Sequence, residues 1–82
     1  MQQPDPQPGH YFVTAIDGPH RYFLAGPWPT HAEALAQVEA VRRYAERTDP
    51  HAFWVAYGTA RQPLDGEAMK SALGSDPQKW ST

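Results

Sequence analysis

The segment Gly26-Pro27-Trp28-Pro29-Thr30-His31-Ala32-Glu33 constrains this chain most, because it fixes the end of one element and the start of the next. Glycine and two prolines stop an extended run. Thr30 can then accept from the backbone N–H of Glu33, while Glu33 reaches back to the N–H of Thr30. This reciprocal cap starts a helix. The helix is predicted from His31 to Arg47 or Thr48. Ala34, Val38, Val41 and Ala45 recur at helical spacing and form one apolar stripe with Leu35 at its edge. Glu39, Arg43, Glu46 and Arg47 occupy the other side. Asp49-Pro50 ends the helix, since the residue before a proline disfavours the α region.

Before this joint, His10 to Ile16 is rich in aromatic and β-branched residues and reads as a strand. Asp17-Gly18-Pro19-His20 is a turn, and Arg21 to Ala25 reads as the second strand of a hairpin. His51 to Tyr57 reads as a third strand ended by Gly58. Asp65 to Leu73 can form a last short helix, capped by Asp65 and closed by Gly74. The fold class is therefore α+β, in the order β-β-α-β. A right-handed crossover lays the third strand parallel to the second, so it pairs antiparallel with the free side of the first. The expected sheet is three-stranded and antiparallel, in the order 2-1-3, with Phe12 central, one helix on one face and the short C-terminal helix beyond it.

Pro4, Pro6 and Pro8 alternate with polar residues, so residues 1–9 are expected to be a disordered arm. The domain proper is 10–61, and 62–82 is a tail holding the short helix at 66–73. So small a core is marginal alone. The chain has no cysteine, which removes disulfides and thiolate chemistry. Folding must then rest on aromatic packing, on oligomerisation or on a partner. No apolar run approaches a membrane span, and the N-terminus lacks a signal-like pattern, so a cytoplasmic protein is expected. Seven basic against nine acidic residues give a net charge of −2, with no basic block for duplex DNA.

All three strands carry apolar residues on both faces, yet one helix covers only one face. Phe12 and Ile16 oppose Tyr11, Val13 and Ala15; Tyr22 and Leu24 oppose Phe23 and Ala25; Phe53, Val55 and Tyr57 oppose Trp54. Three occupants compete for the surplus face. The tail or Trp80 can fold back on it, a second copy can mate with it, or another macromolecule can bind it. The reading adopted is a partner-binding surface led by Trp54, with Tyr11, Val13 and Phe23 as neighbours, for a protein partner or a homodimer.

Catalysis finds little support. Ser71, Ser75 and Ser81 lie outside any nucleophile motif, and phosphate-cradling glycine loops are absent. The topology groups His10 with His31 at one end of the sheet and His20 with His51 at the other, short of the three or four ligands zinc takes. No enzyme activity, metal or cofactor is expected. The strands Tyr11-Phe12-Val13 and Phe53-Trp54-Val55-Ala56-Tyr57 faintly resemble the aromatic strand motifs of RNA-recognition domains, whose rings stack on bases. Binding of single-stranded nucleic acid is the alternative function.

The run Leu24-Ala25-Gly26-Pro27-Trp28-Pro29-Thr30 to Ala34 resembles the strand-to-helix joint of SPOR-type repeats, in which a Gly-Pro-aromatic turn leads to a capped helix. The match spans about half of one repeat. That family binds peptidoglycan on its open sheet face, but its longer β-α-β-β-α-β order is missing, so the joint reads as shared turn chemistry. With abundant alanine, more arginine than lysine and no asparagine, the chain is similar to short proteins of high-GC proteobacteria and their phages. A phage origin implies a host-directed binder or inhibitor.

Overall fold

The computed structural model describes residues 4–65 and 67–80. Strand β1 (His10–Asp17) and strand β2 (His20–Trp28) form an antiparallel hairpin whose turn uses Gly18 at φ 59°. Helix α1 (His31–Thr48) follows, then a 3-10 turn (Pro50–Trp54) and strand β3 (Ala56–Gln62). The sheet order is β2-β1-β3 with β3 antiparallel to β1. The α+β class, the strand order and the central place of β1 are as expected. The Thr30 half of the cap is as expected: Thr30 is extended, and its hydroxyl accepts from the Glu33 N–H at 3.2 Å, without the return bond from the Glu33 carboxylate.

Three boundaries differ from the sequence reading. Strand β2 does not stop at Ala25 but runs through Gly26-Pro27 to Trp28. Its register against β1 shifts twice, between Tyr11 and Val13 and between Val13 and Thr14. Bulges of this kind admit a proline to an edge strand, because the extra residue needs no ladder bond. Gly26 sits at φ 119°, and a Cβ there would lie 2.8 Å from the Tyr11 carbonyl oxygen, so only glycine fits.

The third strand is displaced. Residues His51–Trp54, expected to be extended, wind into a 3-10 turn that starts at Pro50. The Asp49 side chain accepts from the His51 N–H at 3.0 Å, and the Asp49 carbonyl accepts from Ala52 N–H at 3.0 Å. An aspartate cap followed by proline is a helical start signal. Here it overrides the β preference of Phe53-Trp54-Val55. Gly58 lies inside β3, opposite Thr14, where it was expected to end the strand.

No helix forms at 67–73; Gly66, the first residue of the expected helix apart from its cap, lies outside the described residues. The chain instead passes from β3 to the free edge of β2. Ala72 N–H donates to the Phe23 carbonyl at 3.0 Å, Leu73 N–H to Leu24 at 2.8 Å, and Gly26 N–H to Gly74 at 2.8 Å. A short helix has little intrinsic stability, whereas an unpaired sheet edge offers ready donors and acceptors. A 3-10 turn (Pro77–Lys79) then delivers Trp80 into the core.

That core lies between the sheet and α1. It gathers Tyr11, Val13, Ala25, Trp28, Ala34, Val41 and Trp80, with Val38 and Tyr44 packed against it. The arm is also attached. Asp5 N–H donates to His31 Nδ1 at 2.6 Å, Tyr11 O–H to the Gln7 carbonyl at 2.7 Å, and the Arg61 guanidinium to the Pro8 carbonyl at 2.8 and 3.0 Å. Residues 4–9 thus follow a defined path where an unattached arm was expected. Residues 1–3 of that arm, and 81–82 of the tail, lie outside the described residues.

Candidate interaction surface

The four residues expected to form one partner surface are distributed over three environments. Tyr11 and Val13 point toward α1 and are buried in the core, so neither can contact a partner. The reason is register. Tyr11 pairs with Trp28 and Val13 with Ala25, the positions that the helix covers. Phe23 lies on the opposite face, partly buried, with its ring 4.7 Å from that of Phe12. Trp54 is on the 3-10 turn, outside the sheet, and is 82% exposed.

The face away from α1 is not an open aromatic platform. Phe12 is fully buried there and Thr14 nearly so. Gln62, on that face beside His10, holds the crossing chain: its amide donates to the Glu67 carbonyl at 3.0 Å and accepts from Met69 N–H at 2.8 Å. The tail therefore takes part of the surplus face, where Ile16 stays 42% exposed, and Trp80 continues around β2 to the helix side.

Besides Ile16, Tyr22 and Met69, the outer edge of β3 and its flanks stay exposed. Among the described residues, no backbone hydrogen bond joins β3 to anything but β1. The strand has no proline and a single charge, Arg61, whose guanidinium is turned to Pro8. Proteins commonly protect such edges with prolines, charges or bulges. Phe53, 65% exposed, and Trp54 precede the strand; Leu64, 54% exposed, follows it. The 3-10 turn that displays the two aromatics is held by the Asp49 cap, by the buried Ala52 and by Tyr57 O–H donating to the Ala52 carbonyl at 2.9 Å.

The histidines have separate duties. His31 is buried and stacked on Tyr11 at 5.2 Å. Its Nδ1 accepts from Asp5, so Nε2 carries the proton and donates to Thr59 Oγ1 at 2.9 Å. His51 Nε2 bonds Asp17 Oδ2 at 2.8 Å, which ties the 3-10 turn to the hairpin. That hydrogen bond, with the Asp17 charge, raises the His51 pKa above its ordinary value. Among the described residues no group of His, Asp or Glu is arranged to hold a metal ion. Ser71 donates to the Gly26 carbonyl and accepts from Gly74 N–H, fixing the tail to the bulge.

Among the described residues no helix is long and apolar enough to cross a membrane. The fold defines a small α+β domain, and comparison with known protein families, curated proteins and solved structures returns no match.

Proposed function

We propose that this protein is a small non-enzymatic interaction module whose contact surface is the free edge of β3 with its apolar flanks, and whose occupant is a second copy of the chain. The observation that carries this reading is the pair Phe53–Trp54, held out into solvent beside an unpaired strand. Exposed aromatics on a rigid support are the usual anchors of protein interfaces.

A second copy fits because the edge is self-complementary. The midpoint of β3 is Thr59, so an antiparallel two-fold pairing about it sets Ala56 opposite the second copy's Gln62. Two residues further out, Trp54 meets Leu64 of that copy. Each exposed apolar flank thereby covers the other. Continuous sheets built by edge pairing gain main-chain hydrogen bonds as well as side-chain burial.

Sizing by light scattering over a concentration series tests the reading. The wild-type chain is expected to dimerise, and Trp54→Ala and Leu64→Glu, both at exposed positions, are expected to be folded monomers. A wild-type monomer at every concentration, or a dimer that survives both changes, overturns it. Salt-sensitive binding to a single-stranded oligonucleotide, lost in Trp54→Ala, would replace it with the nucleic-acid alternative.

A further inference from the structure

On the helix side, beyond the core, the C-terminal half of α1 stands off from the hairpin end of the sheet. A cleft of about 360 Å³ opens there, within the size range of small-molecule sites. The space exists because Ala15, Ala45, Ala52 and Ala72 line it with methyl groups where larger side chains would meet. Its walls include Tyr22, Tyr44 and Tyr57 with Leu24 and Leu73. Its ionisable side chains other than tyrosine are Asp17, Asp49 and His51, and no lysine or arginine is among the described lining residues.

We propose that this cleft binds a small organic cation with an apolar body, an arylalkylammonium being the class its chemistry fits. The apolar walls suit an aromatic or alkyl body. The carboxylate that suits the cation is Asp49, which caps the 3-10 turn with one oxygen and keeps acceptor capacity on the other, whereas Asp17 is engaged by His51 at 2.8 Å. Tyrosine rings attract cations through their π faces. Tyr44 already does so on this molecule, with the Arg47 guanidinium 5.9 Å from its ring centre, while Arg47 itself does not line the cleft. Burial raises the Tyr57 pKa, with Glu46 and Asp49 adding to the rise and Arg42 opposing it, so its ring remains a neutral wall of the cleft. The cleft shares Tyr57 with β3, but Phe53, Trp54 and Leu64 are not among its lining residues.

The test is an amide NMR titration of the full chain with phenethylammonium, phenethyl alcohol and phenylacetate, three ligands alike in shape and different in charge. The amine is expected to give saturable shifts at Ala15, Tyr44, Val55 and Leu73. The alcohol is expected to bind roughly tenfold more weakly, the scale of a partly desolvated cation–π contact, and the acid not at all. Asp49→Asn keeps a capping side chain but removes a charge, and it should weaken amine binding while leaving the alcohol unchanged. Tyr44→Leu should weaken the amine more than the alcohol, and Trp54→Ala should leave both as in wild type. Equal binding of amine and alcohol, shifts that map to Phe53 and Trp54, or no saturable shift with the amine would overturn the proposal.

Discussion

Trp80 meets Trp28 in a T-shaped contact, with ring centres 6.0 Å apart and planes at 88°, and its indole N–H donates to Gln37 Oε1 at 3.1 Å. Trp80 thereby joins the last residue of β2 to the middle of α1. With Trp80 only 2% exposed, the tail is part of the core. Trp80→Ala is expected to cost about 3–5 kcal/mol, a large share of the stability of a domain this size. Chemical denaturation measures it, and a change below about 1 kcal/mol would show that the tail is dispensable.

The helix start rests on the Thr30 hydroxyl. Thr30→Ala should destabilise the fold by about 1 kcal/mol, while Thr30→Ser, which keeps the oxygen, should be close to neutral. Equal losses in both variants would remove the cap from the account.

Deleting residues 1–9 removes the Asp5 bond to His31, the Gln7 bond to Tyr11 and the Pro8 bonds to Arg61. Tyr11 and His31 are buried, so their polar atoms would lose protein partners. A fall in melting temperature is expected, of the size that about 1–3 kcal/mol produces. An unchanged melting temperature would mean that the arm contributes nothing.

Trp54→Ala, by contrast, should leave the melting temperature of the monomer close to wild type, because the indole is 82% exposed. Loss of the folded state in this variant would contradict the placement of Trp54 outside the core.

The Asp17–His51 pair carries a pH signature. Its hydrogen bond raises the folded-state pKa of His51, so its stabilisation is full below the ordinary imidazole value of about 6.5 and is lost as pH rises through the raised value. Asp17→Asn should move the His51 titration, followed by NMR, down toward that ordinary value. The stability difference between variant and wild type should shrink on the alkaline side. An unmoved His51 titration would show that the pair does not form in solution.

Local chemistry decided much of this fold. The cap at Thr30, the stripe of Ala34, Val38 and Val41, the stop at Asp49-Pro50 and the Asp17-Gly18 turn each act within a few residues, so their outcome is written in adjacent side chains. The strand order followed from chain length and crossover handedness. Period-two alternation showed that both sheet faces were apolar, and the tail was among the occupants weighed. The sequence alone left open the face of β1 that packs on α1, misplaced the third strand at His51 to Tyr57, and allowed a helix at 66–73 where the chain instead pairs with β2 through Ala72, Leu73 and Gly74. The first and the last depend on competition between distant segments, the second on the local cap at Asp49. The bulges at Gly26-Pro27 and Leu24 bring Trp28 and Ala25 opposite Tyr11 and Val13, and all four are buried on the helix side, including the two that alternation had offered to a partner. The Asp49 cap won residues 50–54 from a strand with equally strong propensity. The free edge of β2 and the slot beside Trp28 drew the tail out of a helix that its own pattern allowed. Propensity acts over a few bonds. Which of two satisfiable conformations is kept depends on burial and pairing partners that exist only once the chain has closed on itself.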